Sequence, residues 1–143
     1  MRSQRQFITG NPRGTVNNPL RVMIVEDEAQ MGELFGEVLE GMGFTVCAIE
    51  TTEIDAIAAA SRCRPDLLLV DVQLLVGSGL SAVAKILDAG FIPHVFYSGD
   101  ISGVQAAAPG AIAIQKPFRV PELAHAINRA LAIAPPKPIQ SVL

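Results

Sequence analysis

The sequence predicts a three-layer α/β domain, in which helices cover both faces of a parallel β-sheet. Half of the 143 residues are apolar and only 17% are charged, a composition that excludes a predominantly disordered chain. Short apolar runs alternate with segments of helical periodicity, and this alternation is typical of parallel strands joined by right-handed helical crossovers. The most apolar run, residues 67–70, lacks a polar face, as a strand covered on both sides requires.

Strands and helices can be placed in chain order from these two periodicities. The predicted strands cover residues 20–25, 44–49, 67–70, 94–97 and 111–114. The predicted long helices cover residues 31–42, 52–62, 80–87 and 123–131. In the first helix the apolar stripe predicts the buried face, namely Met31, Leu34, Phe35, Val38, Leu39 and Met42. In the second helix the corresponding prediction is Ile54, Ile57 and Ala58.

The two ends of the sequence differ in composition from the segment between them. Residues 1–19 are polar, contain three arginines and have no apolar region typical of a secretory signal. We expect them to form a flexible arm, which is either a solvated tail or a tether to an anionic partner. Residues 20–133 are the predicted domain, and the proline-rich residues 134–143 are a predicted tail.

Charge, hydropathy and cysteine content restrict the function further. The net charge of −3 argues against a nucleic-acid surface. No apolar run approaches the ~20 residues that cross a bilayer, so we expect no membrane insertion. Cys47 and Cys63 fit no metal-binding spacing and lie in apolar periodic segments. We therefore expect reduced core thiols in a cytoplasmic protein.

Polar residues follow the predicted strands at the positions where a sheet of this kind forms a site. Glu26, Asp27 and Glu28 follow the first strand, and single residues follow three others, namely Asp71, Ser98 and Lys116. The carboxyl ends of parallel strands meet at one edge of the sheet, and ligands bind there. These residues are therefore predicted to form one site, although Glu28 is better explained as an acid in the first turn of a helix.

The residue types at this edge suit phosphoryl transfer. An aspartate can accept a phosphoryl group as a mixed anhydride, and Asp71 is the candidate acceptor. Clustered carboxylates repel one another unless a cation binds, and Mg²⁺ prefers oxygen ligands. Lys116 offers a positive charge to Asp71 and to a phosphoryl oxygen, and Ser98 offers a hydroxyl to another phosphoryl oxygen.

Four motifs, VMIVEDE, LLLVDVQLLVGSGL, VFYSGD and IQKPF, occur in an order and at intervals that resemble the receiver domain of bacterial response regulators. The resemblance implies a flavodoxin-like, doubly wound five-stranded sheet of order 2-1-3-4-5. It also implies that Asp27 and Asp71 ligate Mg²⁺ directly, Glu26 through water and Gln73 through its backbone carbonyl. Finally, it implies a cis peptide bond between Lys116 and Pro117.

The same resemblance implies a single-domain response regulator of a two-component phosphorelay. Such a protein accepts its phosphoryl group from a sensor histidine kinase or a histidine phosphotransfer protein, and it then switches its surface for an unknown downstream protein. We expect a cytoplasmic monomer or weak dimer that catalyses only its own phosphorylation and dephosphorylation. One alternative is a pseudo-receiver, which is a constitutive interaction module. Another is an aspartyl phosphatase, although Gln73 stands where such enzymes need a second acid.

The sequence departs from the family pattern at several positions. Glu26 replaces a more usual aspartate, Leu75 replaces a proline, and Ala113 replaces an aromatic residue, whereas Tyr97 precedes Ser98. The interval between Ser98 and Lys116 is short, which predicts a shortened or irregular fourth helix with Asp100 as its N-cap. We expect residues 99–110 to transmit the signal through Ile101 and Val104, unless these two residues only fill the core.

Overall fold

The computed structural model describes residues 18–133, which form a five-stranded parallel sheet between two layers of helices. The strands are β1 (Arg21–Val25), β2 (Thr45–Glu50), β3 (Leu67–Asp71), β4 (His94–Ser98) and β5 (Ala113–Gln115). The helices are α1 (Ala29–Gly41), α2 (Glu53–Cys63), α3 (Gly79–Ile86), α4 (Ile101–Ala107) and α5 (Val120–Ala132). The strand order β2-β1-β3-β4-β5 confirms the predicted topology. The predicted tail, and all but residues 18 and 19 of the predicted arm, lie outside the described residues.

Strand β3 lies at the centre of the sheet, between β1 and β4. All five of its residues are buried, because α1 and α5 cover one face of the sheet while α2 and α3 cover the other. Side chains of a strand alternate between the two faces, so Leu67 and Leu69 join one apolar cluster and Leu68 and Val70 the other. The continuous apolar run of β3 is the consequence of this double burial. No helix in residues 18–133 is long and apolar enough to cross a membrane.

The buried face of α1 agrees with the predicted one only in part. Met31 and Leu34 are 37% and 51% exposed, whereas Gly32, Gly36 and Leu39 are buried. A Cβ atom at Gly32 would lie 2.8 Å from Cγ2 of Ile49 on β2. Glycine therefore allows α1 to approach the sheet closely. The predicted Phe35, Val38, Leu39 and Met42 do pack against the core, whereas Met31 and Leu34 lie outside the buried face.

Helix α2 shows the same effect with alanine. Its buried residues are Ala56, Ala59 and Ala60, and Ile57 is partly buried against the same cluster. Ile54, which was predicted to pack, is 74% exposed, and Ala58 is exposed as well. The prediction of this face was therefore wrong for both residues, because small side chains that pack closely outweighed the hydrophobicity of isoleucine.

The predicted short fourth helix is confirmed. Helix α4 has seven residues, and the Asp100 carboxylate caps it by accepting a hydrogen bond of 3.0 Å from the backbone N–H of Gly103. Val104 is buried and Ile101 is half-buried. Val104 thus packs in the core of this structure, in agreement with the core-filling alternative.

Cys47 of β2 and Cys63 at the end of α2 form a disulfide, with Cα atoms 6.1 Å apart. The expectation of two reduced core thiols is therefore wrong, and neither residue is fully buried. The pairing follows from the crossover geometry. Helix α2 returns antiparallel to β2, so the end of the helix lies beside the first half of the strand.

We expect reduction of this disulfide to destabilise the domain by about 3 kcal/mol, the value for cross-linking a loop of this length. Urea unfolding with and without reductant should show the loss as a lower midpoint, with a steeper slope because the reduced unfolded chain exposes more surface. The Cys47→Ser/Cys63→Ser double variant is the control, and its midpoint should not respond to reductant. Alkylation of both cysteines in the native, unreduced protein would contradict the pairing.

Candidate functional site

Three carboxylates meet at the carboxyl edge of the sheet. Glu26 and Asp27 directly follow β1, and Asp71 is the last residue of β3. Because β1 and β3 are adjacent, with Val25 opposite Val70, the strands bring these side chains together. One carboxylate oxygen from each lies within 4.8 Å of the others. Glu26 and Asp71 are each 2% exposed, so two of the three acids are almost completely removed from water.

Asp71 is paired on both of its carboxylate oxygens. Its Oδ2 lies 3.1 Å from Nζ of Lys116, and its Oδ1 accepts a hydrogen bond of 3.0 Å from the backbone N–H of Gln73. Lys116 follows β5, where its backbone N–H donates to the carbonyl of Ser98 at 2.8 Å. The peptide bond between Lys116 and Pro117 is cis, which confirms that prediction.

Glu26 and Asp27 are held by hydrogen bonds from the loop after β3, from β4 and from the adjacent Glu28. Asp27 Oδ2 accepts from the backbone N–H of Leu75 at 2.8 Å, which fixes the loop after β3 to the end of β1. Glu26 Oε2 accepts from the backbone N–H of Glu28 at 3.0 Å, and Glu26 Oε1 accepts from the Tyr97 hydroxyl at 2.6 Å. Each carboxylate therefore has a defined orientation.

Burial is the main influence on the pKa values of Glu26 and Tyr97. Burial raises the pKa of Glu26 above its ordinary value, and the hydrogen bonds from Tyr97 and Glu28 offset that rise only in part. The negative charge of Asp71 also raises the pKa of Glu26. Burial, together with the adjacent Glu26, raises the pKa of Tyr97 far above its ordinary range. Tyr97 therefore remains a hydrogen-bond donor toward the carboxylate.

The donor set fits a small divalent cation. Three carboxylates face one ammonium group, that of Lys116, so their negative charge exceeds the positive charge beside them. All three offer oxygen, the ligand that Mg²⁺ prefers, and Asp27 is only half-buried, which leaves the cluster open to water. Among the described residues, Glu26, Asp27 and Asp71 are the group that could hold such an ion.

Ser98 and Gln73 lie beside this cluster, on a small cleft of about 170 Å³. Ser98 is 1% exposed, and its Oγ accepts a hydrogen bond of 2.9 Å from the backbone N–H of Asp100. Within residues 18–133 the structure shows no hydrogen bond from the Ser98 hydroxyl to Asp71 or Lys116. Gln73 contacts Asp71 through its backbone N–H. The roles assigned to Ser98 and to the Gln73 carbonyl therefore stay predictions.

Glu53 on α2 holds the loop that follows Asp71. Its Oε1 accepts from the backbone N–H of Ser78 at 2.9 Å, and its Oε2 accepts from the Ser81 hydroxyl at 2.6 Å and from Lys85 Nζ at 3.0 Å. Gly77 has φ +91° and lies so close to Glu53 that a Cβ atom would overlap the glutamate side chain. This contact joins α2 to the start of α3, directly beside the candidate site.

We expect Glu53→Gln to weaken the dependence of stability on pH in acid. Hydrogen bonds from Ser81, Ser78 and Lys85 lower the pKa of Glu53 from 4.5 to about 2. A carboxyl group with a lowered folded-state pKa stabilises the fold above its unfolded-state pKa, and this contribution is lost as pH falls from about 4.5 toward 2. Urea unfolding across this window should give a shallower pH profile for the variant than for the wild type.

Glu37→Gln, on the exposed side of α1, is the matched control for Glu53→Gln. It removes one carboxyl group without removing the contact between α2 and α3. A pH profile for Glu53→Gln that parallels the wild-type profile would contradict the role given to Glu53.

The sequence analysis identified the acids and the lysine but missed the contacts that hold them. Glu53 and Ser78 are 25 residues apart, and no local pattern links them. Gln115 was also missed, although its side-chain amide donates to the Gly99 carbonyl at 2.7 Å and its Oε1 accepts from the N–H of Ile101 at 3.2 Å. Its position directly before Lys116 was a usable signal.

Comparison with known proteins identifies relatives of the whole domain. The family model of the response regulator receiver domain matches residues 22–128. The phyllosphere-induced regulator PhyR of Methylorubrum extorquens is 33% identical over 115 residues, which are 77% of this chain and 43% of PhyR. The polar-differentiation response regulator DivK of Brucella anthropi is 30% identical over 124 residues, which are 81% of this chain and 99% of DivK.

Solved structures agree on the fold. The solution structure of the PhyR receiver domain of Erythrobacter litoralis superposes with a TM-score of 0.76 at 24% identity, covering 86% of this chain and 97% of that domain. The chain spans about half the length of the PhyR proteins of M. extorquens and Brucella abortus, and nearly all of DivK. The similarity therefore concerns one domain, which in DivK is almost the entire protein.

Proposed function

Because the chain belongs to the response regulator receiver family, we propose that it accepts a phosphoryl group on Asp71 within a two-component phosphorelay. The donor is the phosphohistidine of a sensor histidine kinase or of a histidine phosphotransfer protein. The observation that supports this proposal best is the environment of Asp71, which is buried, lies within 4.8 Å of two further carboxylates and is 3.1 Å from Lys116 Nζ. Receiver domains are generally signalling modules without activity on other substrates, and the only reactions that we propose are those of its own phosphoryl group.

In the proposed reaction a carboxylate oxygen of Asp71 attacks the phosphorus atom of the phosphohistidine. The new O–P bond forms as the P–N bond breaks, and the bonding electron pair leaves with the imidazole nitrogen. In the proposed dephosphorylation, water attacks the phosphorus atom and the O–P bond to Asp71 breaks. The phosphoryl group leaves as inorganic phosphate, and the carboxylate is regenerated. Lys116 Nζ and the backbone N–H of Gln73 hold the two carboxylate oxygens of Asp71 in place beside the cluster.

Mg²⁺ held by Asp27, Asp71 and the Gln73 carbonyl, and by Glu26 through water, would neutralise charge on the phosphoryl oxygens. Lys116 would exchange its contact with Asp71 Oδ2 for a phosphoryl oxygen. The Ser98 hydroxyl would turn from the N–H of Asp100 toward another phosphoryl oxygen. The rearrangement of Ser98 would alter the start of α4, because Asp100 caps that helix.

We propose that this rearrangement changes the surface that a downstream protein binds. The observation that favours it is the coupling of Ser98 to α4 through Asp100, and of Gln115 to both Gly99 and Ile101. The proposed location is the cytoplasm, where the nucleotide that supplies phosphoryl groups to kinases is found.

The experiment is incubation with a small phosphodonor, such as acetyl phosphate or phosphoramidate, in Mg²⁺ or in excess EDTA, followed by intact mass measurement. We expect the mass of one phosphoryl group to appear only when Mg²⁺ is present. An unchanged mass with both donors in Mg²⁺ would overturn the proposal and favour the pseudo-receiver alternative, in which the domain binds its partners without phosphorylation.

A further inference from the structure

Tyr97 lies between the acidic cluster and the hydrophobic core. It is the only tyrosine in the sequence, which has no tryptophan, and its side chain is completely buried. Its ring centroid lies 5.3 Å from that of Phe35 on α1 and 5.7 Å from that of Phe118, which precedes α5. Phe35 and Phe118 are themselves 5.5 Å apart. These three rings, the aromatic triad, fill the space between α1, β4 and α5 next to the site.

The hydroxyl and the ring of Tyr97 each lie beside a charged group of the site. Its hydroxyl donates to Glu26 Oε1 at 2.6 Å, and Lys116 Nζ lies 5.4 Å from its ring centroid. Glu26 is 2% exposed, so water cannot easily replace a lost donor at that oxygen. The other oxygen of Glu26 is held by the backbone N–H of Glu28. Together, these two donors fix the plane of the carboxylate.

We propose that Tyr97 is a positioning residue that holds the Glu26 carboxylate in the orientation required for Mg²⁺ at the acidic cluster. This inference rests on the proposed function, since it assumes that the cluster binds Mg²⁺. Its physical basis is that partners of metal-binding carboxylates set their orientation, and that loss of such a partner typically lowers metal affinity about 10- to 100-fold. Tyr97 acts through Glu26 and does not touch the ion.

The test begins with Tyr97→Phe, which keeps the ring and the aromatic triad but removes the hydroxyl. Titration calorimetry with Mg²⁺ should show about 10-fold weaker binding than in the wild type. Phe35→Leu is the matched control, because it disturbs the triad while leaving the hydroxyl and Glu26 in place. We expect it to lower the unfolding midpoint in urea and to leave Mg²⁺ affinity within about twofold of wild type, since the donors to Glu26 remain.

A double variant separates positioning from a general structural effect. If Tyr97 acts through Glu26, then adding Tyr97→Phe to Glu26→Gln should weaken Mg²⁺ binding no further. Tyrosine emission supplies a spectroscopic readout, because Tyr97 is the sole tyrosine and its hydroxyl contacts the site. In the wild type this emission should change with the same Mg²⁺ midpoint as the calorimetric signal, and Glu26→Gln should remove the change.

The outcomes distinguish this inference from the proposed function. Wild-type affinity in Tyr97→Phe, or additive losses in the double variant, would overturn the role of Tyr97 while leaving the proposed function intact. Absence of Mg²⁺ binding by the wild-type protein would overturn both. Weaker binding in Tyr97→Phe, with no further loss in the double variant, would support the inference.

Discussion

Asp71→Asn is expected to abolish phosphorylation by small phosphodonors in Mg²⁺, so that the protein no longer gains the mass of one phosphoryl group. The amide lacks the anionic oxygen that attacks phosphorus, and it also removes the charge that Lys116 and the proposed cation would face. Intact mass measurement after equal incubation of wild type and variant checks this result. The substitution is nearly isosteric, so the buried end of β3 should keep its packing.

Asp100→Asn is the control for this experiment. It changes an acid that follows the neighbouring strand β4 and that caps α4 rather than facing Lys116. This variant should still gain one phosphoryl group. Phosphorylation of Asp71→Asn would mean that another residue is the acceptor, and peptide mapping would then identify it.

Asp27→Asn is expected to weaken Mg²⁺ binding by at least about 100-fold, whereas Glu26→Gln should weaken it about 10- to 100-fold. The difference follows from the proposed direct ligation by Asp27 and ligation through water by Glu26. Calorimetric titration of both variants with Mg²⁺ measures the difference.

Glu33→Gln, an exposed residue of α1, removes one negative charge without touching the cluster and should bind Mg²⁺ as the wild type does. A larger loss in Glu26→Gln than in Asp27→Asn would reverse the assigned roles. Equal losses in all three variants would indicate a general effect of charge in place of specific ligation.

The topology and the location of the site could be predicted because they depend on strong local signals. Each strand is a short apolar run, and the charged residues stand directly after strands, as Asp71 follows residues 67–70. The fold then brings those strand ends together. The family motifs supplied the strand order, which the apolar pattern alone does not contain.

The helix faces could be predicted only in part from hydrophobicity, because contact with the sheet also depends on how closely the backbone can approach it. Gly32 and Ala56 are buried while Leu34 and Ile54 are exposed. Hydrophobicity ranks these residues in the opposite order. The close contact between Gly32 and Ile49 requires three-dimensional information about β2.

Contacts between side chains that are distant in the sequence could not be predicted either. Cys47 and Cys63 were predicted as reduced thiols because their spacing fits no motif, yet the return of α2 along β2 brings them together. Tyr97 was noted only as an aromatic residue on the fourth strand. Its contact with Glu26 joins residues 71 positions apart, and it depends on the hydroxyl reaching across β3 to the end of β1.

The complete burial of β3 has a consequence for how the domain can respond. Backbone amides of a central strand, hydrogen-bonded on both sides and inaccessible to water, exchange with solvent only in large opening events. Asp71 therefore lies at the end of the segment that we expect to exchange most slowly. By contrast, β5 pairs with one neighbour over only three residues, and α4 has about two turns. Phosphorylation would thus occur on the slowest-exchanging strand. The local unfolding events of low free energy, through which the domain could respond to it, would instead occur in β5 and α4 at the edge of the sheet.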